Sequence, residues 1–266
     1  MVRNERGFSL IELLVVTVIM GLVVASIYTL YTGTQKTAIT SEEVVEVQQN
    51  LRFALDQIAS DIRLAGFLVP VGTAPFAAMP ASINGADLVI NTSMTTRRYA
   101  RIESFSETDL TMTVASSEMV DLFEADDTFF IIRPHTYEEL SSGEIAGKNR
   151  LNRTLVLKAL LPVTGIEYFP GDVIVPASTV AVSYRLIADP DGGENVFLLE
   201  REVEGATAVV AGKISDVFLT PIPNAIDVVA VRVRIEGQTD ETMTGQDNFS
   251  GIKTRALETV VRLRNR

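Results

Sequence analysis

Cysteine and tryptophan are absent from this 266-residue chain, and His135 is its only histidine. Without cysteine no disulfide can close a loop, so any exported domain must hold by packing and strand pairing alone. Without cysteine or a second histidine, a zinc site or a histidine-based nucleophilic triad has little to build on. His135 follows an apolar run and Arg133-Pro134 and reads as a loop residue. No Walker motif, dinucleotide fingerprint or glycine-flanked nucleophile occurs, so nothing argues for an enzyme or a cofactor. Positive charge is also scarce, with 23 Lys and Arg against 34 Asp and Glu and a net charge of −11. Such a balance repels nucleic acid overall.

Proline does not occur before Pro70. The chain opens with Arg3 and Arg6, and the second of these begins the motif Arg6-Gly7-Phe8-Ser9-Leu10-Ile11-Glu12. Residues 13–31 then run uncharged and mostly aliphatic, long enough to span a bilayer as a helix. No small-residue cleavage site separates this run from the rest of the chain, unlike an ordinary signal peptide. The next basic residue after Arg6 is Lys36, a bias that puts the amino terminus in the cytoplasm and the bulk outside.

Past residue 31, apolar residues recur at Val44, Val47, Leu51, Ala54, Leu55, Ile58 and Ile62, a helical stripe. Glu42, Glu43, Glu46, Gln49, Asn50, Arg52, Gln57 and Asp61 are read as the polar face. Gly66 is a stop signal, so one helix is expected from about Phe8 to Ala65. Gly21 and Gly33 are its interior glycines and the expected points of bending, and Gly21 with Ala25 forms a small-residue pair. Residues 68–84 read as a loop. Strands are expected at 87–91, 99–105, 110–115, 128–133, 155–160, 180–188, 196–203, 228–236 and 257–264. The run 189–195 reads as a hairpin turn, and its Gly192-Gly193 does not have EF-hand spacing. Residues 138–153 and 237–253 read as polar loops.

The Gly7–Phe8 junction and Glu12 resemble the class III signal of type IV pilins and type II secretion pseudopilins. That resemblance implies cutting between Gly7 and Phe8 by a membrane prepilin peptidase, with N-methylation of Phe8. It also implies that the apolar helix stays as anchor and later filament core. A carboxylate in the apolar part of a helix calls for a partner, so Glu12 is expected to serve assembly by meeting the Phe8 amine of a neighbouring subunit in a staggered bundle. The stem run Gln49-Asn50-Leu51-Arg52-Phe53-Ala54-Leu55 leads to Asp61-Ile62-Arg63-Leu64-Ala65-Gly66-Phe67, and the chain closes with Val260-Val261-Arg262-Leu263-Arg264-Asn265. Both stretches look like the PilW-like minor pilins, whose relatives in type II secretion are the J-type pseudopilins. Many pilins carry a carboxy-terminal disulfide and a proline in the first half of the helix, and both are missing here.

The expected fold is α+β: a long, partly transmembrane N-terminal helix packed on a β-rich, mainly antiparallel, pilin-like globular domain. The expected division is a leader at 1–7, a transmembrane half-helix at 8–31, an amphipathic half at 32–66, and a periplasmic or extracellular β-rich domain at 67–266. The resemblance implies partnership with prepilin peptidase, other minor and major pilins and the inner-membrane pilus assembly platform. It implies a single-pass inner-membrane protein that primes the pilus and stays near its tip. A J-type pseudopilin is the closest alternative. A pilus-borne adhesin or receptor is another, with Arg97, Arg98 and Arg101 or Lys148, Arg150 and Arg153 as ligand contacts. The bland reading of both clusters is a solvated edge.

Overall fold

The structure is a computed structural model that describes residues 9–69, 72–93, 99–106, 109–136, 138–161, 167–177, 181–223, 228–239 and 252–264. Helix α1 (Leu10–Arg63) runs unbroken through Gly21 and Gly33, so neither glycine interrupts it. At 1.5 Å per residue it is about 81 Å long. Past its end Gly66 takes φ +73°, a conformation that favours glycine, and donates its N–H to the Asn91 carbonyl at 2.8 Å.

The first strands are β1 (Phe76–Ala78), β2 (Leu88–Asn91), β3 (Ala100–Ser106) and β4 (Thr111–Val114). A short helix α2 (Ser117–Val120) precedes β5 (Thr128–Arg133), β6 (Glu138–Asn149), β7 (Thr154–Leu161) and β8 (Val173–Pro176). The last are β9 (Ala181–Ala188), β10 (Phe197–Val203), β11 (Ala206–Pro223), β12 (Val228–Gln238) and β13 (Thr254–Arg262). They form two separate assemblies. A seven-stranded sheet has the order β1-β2-β9-β10-β11-β12-β13, and β3-β4-β7-β6-β5-β8 close into a barrel. All the strand pairings are antiparallel. The barrel is an insertion between β2 and β9, which are neighbours in the sheet through Leu88 opposite Tyr184.

Each assembly has its own core. The second half of α1 lies across β11, β12 and β13. Val47, Leu51, Ala54, Ile58 and Ile62 are buried there against Ile214, Val217, Val231, Val233 and Ile235. Burying each larger aliphatic contributes about 1.5–3 kcal/mol. At Gly237 the sheet comes so close to the helix that a Cβ would lie 3.0 Å from Leu51 Cδ2 and 2.6 Å from the Lys213 carbonyl oxygen. Only glycine permits that approach. The barrel core is built from Met112, Phe123, Phe129, Ile131, Ile145, Leu155 and Ile174. A third cluster joins the two: Leu68, just past α1, packs with Ile132, Val173 and Val175 of the barrel. The barrel is thus attached where the stem ends.

The structure corrects several sequence expectations. Residues 138–149 are a strand, not a polar loop, and β6 sits inside the barrel between β5 and β7. The eighteen-residue β11, the short β8 and β1 within the expected 68–84 loop went unread. Gly237 and Gln238 belong to β12 rather than to a loop. Asp61 is not on the polar face; it is 3% exposed. The expected hairpin turn does join β9 to β10, with Ala188 opposite Phe197.

Candidate functional site

The amino-terminal end of α1 starts with a reciprocal cap. The Ser9 side chain accepts from the Ile11 N–H, and the Ser9 N–H donates to the Glu12 carboxylate at 3.1 Å. These contacts satisfy donors that a helix start leaves without partners. An acid in the first turn also suits the positive end of the helix dipole. Glu12 therefore has a local role within its own helix. Gly7 and Phe8 lie outside the described residues.

From Leu10 to Tyr31 every residue is exposed, including Leu13, Val16, Met20, Val24 and Ile27. The serine and threonine hydroxyls in this stretch fold back onto the helix. Thr17 donates to the Leu13 and Leu14 carbonyls, Ser26 to Leu22 and Thr29 to Ala25. A helix with its backbone paired internally and its hydroxyls folded back is suited to hydrocarbon. α1 is the one helix among the described residues long and apolar enough to cross a membrane, and its apolar window is unburied.

The stem is fixed to the sheet by polar contacts as well as by packing. Asp61 Oδ2 accepts from the Tyr184 hydroxyl at 2.6 Å and from Arg201 Nε at 2.8 Å. Burial, with the Asp61 carboxylate beside it, pushes the Tyr184 hydroxyl well above the ordinary tyrosine range. Farther down, Lys213 of β11 reaches Glu46 of α1 at 3.1 Å. Periodicity alone missed Asp61. Its position directly beside Ile58 and Ile62 was the available signal.

The charged clusters read from the sequence fare differently. Lys148 pairs with Glu124, Arg150 with Asp121 and Arg153 with Glu103, at 2.8, 3.3 and 3.1 Å. All three cations are matched within the barrel, which fits the solvated-edge reading. Arg101 is exposed on β3, whereas Arg97 and Arg98 lie outside the described residues. His135 sits exposed in a turn. Gly192 is required by the hairpin, since a Cβ there would come 2.8 Å from Asp189 Cβ. Among the described residues, no group of three or more His, Cys, Asp or Glu side chains is arranged to hold a metal.

Residues 2–28 match the family model for the prokaryotic N-terminal methylation motif. The match supports a prepilin of the type IV pilin or pseudopilin kind, a structural rather than enzymatic class. The motif implies processing by prepilin peptidase and assembly with pilins, and with the single apolar helix it is consistent with a membrane-anchored pilin. No curated protein and no solved structure matches the chain.

Proposed function

We propose that the chain is a minor pilin that helps initiate and assemble a type IV pilus. Prepilin peptidase would cut between Gly7 and Phe8 and methylate the new amino terminus at Phe8. The observation that carries this reading is one continuous helix with two different halves. The first half carries the methylation motif and an apolar surface exposed on all sides, and the second is packed on a sheet. Such a surface needs lipid or a bundle of similar helices around it. Other minor and major pilins and the inner-membrane assembly platform are then its partners. The leader faces the cytoplasm, and the β-rich body lies in the periplasm until export.

A minor, initiating role rather than a place along the shaft is supported by the barrel. It joins the molecule at the distal end of the stem, through Leu68 against Ile132, Val173 and Val175. A filament that grows at its base places later subunits below earlier ones. A bulky distal barrel is tolerated best by a subunit with nothing above it. The receptor reading loses support from the pairing of Lys148, Arg150 and Arg153 with their own acids.

An epitope inserted at Leu151, 96% exposed at the tip of the β6–β7 hairpin, tests the proposal. Immunogold labelling should mark pilus ends, and deleting the protein should reduce the number of pili. Label along the shaft would instead indicate a main subunit. Unchanged pili together with lost protein secretion would overturn the pilus reading in favour of a J-type pseudopilin.

A further inference from the structure

The last turn of α1 and the residues at the end of β13 border a cleft of about 420 Å³, lined by Ser60, Arg63, Leu64, Arg262, Leu263 and Arg264. Its two sides are tied together by the Arg264 N–H, which donates to the Arg63 carbonyl at 3.0 Å. The Arg264 guanidinium lies over the Phe67 ring, 5.8 Å from its centroid. Arg63, Arg262 and Arg264 are exposed, and none has an ion-pair partner among the described residues. Arg133, Arg185, Arg201 and Arg232, by contrast, each meet a carboxylate.

We propose that this cleft binds a small multivalent oxyanion, a phosphate or polycarboxylate group, held by Arg63, Arg262 and Arg264. In a chain with 34 acidic side chains, three arginines bordering one cleft, with no carboxylate among its described lining residues, form a charge arrangement that a bound anion completes. The planar guanidinium fork matches both carboxylate and phosphate oxygens in bidentate geometry. Ser60, which also lines the cleft, carries a hydroxyl able to donate to such an anion. The helix end presents its negative pole here, but that amounts to roughly half a charge. The Arg63 carbonyl is moreover already occupied by the Arg264 N–H. The volume falls within the range of roughly 300–1,000 Å³ usual for small-molecule sites. Lipid headgroups are a poor fit, because Arg63 lies about 48 Å along the helix from Tyr31.

The full chain in a neutral detergent would be titrated calorimetrically with inorganic pyrophosphate and, separately, with citrate. Ionic strength is held constant with sodium chloride. Saturable binding at one equivalent is expected for at least one of the two, and the comparison separates phosphate from carboxylate recognition. The double variant Arg63→Gln, Arg262→Gln should bind at least tenfold more weakly, while Arg101→Gln on the barrel should bind like the parent. The double variant's thermal midpoint without anion should equal or exceed the parent's, because like-charge repulsion has been removed. Absence of saturable binding of both anions to the parent overturns the proposal. So does equal affinity in the double variant.

Discussion

Asp61 is the residue on which the stem-to-sheet joint turns. In a nearly dry setting it accepts from the Tyr184 hydroxyl and from Arg201, whose side chain keeps 21% of its exposure. Asp61→Ala would strand a buried hydroxyl and a partly buried guanidinium, and it should destabilise the protein by about 2–4 kcal/mol in chemical denaturation. Tyr184 adds a pH dependence whose sign is fixed by its raised folded value. The folded state keeps the phenol proton while an unfolded tyrosine loses it near pH 10. Its contribution is therefore complete below about pH 10 and is lost as the pH climbs beyond it. The denaturation midpoint should fall as the pH climbs above about 10, and Tyr184→Phe should flatten that fall. An equally steep fall in the variant would assign it to other groups. The sequence shows that residue 61 is helical but conceals its burial. A carboxylate is read as solvated unless its partners are known, and these lie 123 and 140 positions away along the chain.

Among elements, α1 was legible almost to its last residue because its signals agree. A proline-free run, apolar spacing of three and four, and a glycine just past the end all point to one helix. The strands that alternate cleanly, such as β9 and β12, were legible for the same reason. β6 was not. Its Ser141, Ser142, Gly143, Gly147 and Lys148 read as loop chemistry, and only its place between two neighbours in a closed barrel makes it a strand. β11 hid behind Pro221, Pro223 and an irregularity at Lys213, where φ is +58° and the register shifts nearby. These are tertiary decisions that local pattern does not carry. The stem's energetic role comes from its packing. Ile58→Ala should cost about 2–5 kcal/mol, whereas Phe53→Ala, at a site 61% exposed, should stay within about 0.5 kcal/mol. A chain beginning at Ser41 keeps the whole buried stripe and should be soluble and folded; one beginning at Val69 exposes the sheet face and should aggregate. Equal solubility and equal thermal midpoints for the two would show that the stripe is not part of the domain's core.

At the scale of the whole molecule, the question is how a carboxylate at the start of a hydrocarbon-facing helix is tolerated. Glu12 is the only charged side chain between Ser9 and Gln35. A charge within the span costs roughly 2.5–3.5 kcal/mol at mid-bilayer and less near the interface. Two roles can offset that cost. One is local, the cap in which the Ser9 N–H donates to the Glu12 carboxylate. Cutting between Gly7 and Phe8 would leave this cap in place, because Ser9 keeps its amide N–H. The other is the assembly role proposed for Glu12, in which its charge meets the methylated amine of Phe8 on a neighbouring helix in a staggered bundle. Glutamine separates them. A capping box accepts Gln as well as Glu at this position, so Glu12→Gln retains the cap and removes only the charge. Ser9→Ala removes the cap's hydroxyl and keeps the charge. If pairing between subunits operates, Glu12→Gln and Glu12→Leu should both be cleaved so that the mature chain begins at Phe8, as intact mass would show. Both should also lose co-purification with other pilins from membranes, while Ser9→Ala assembles. If Glu12→Gln assembles like the parent while Glu12→Leu and Ser9→Ala fail, the residue serves its own helix and the intersubunit pair is excluded. Low dielectric makes the first outcome the expected one, since a misregistered neighbour would leave both charges unpaired where that is most unfavourable.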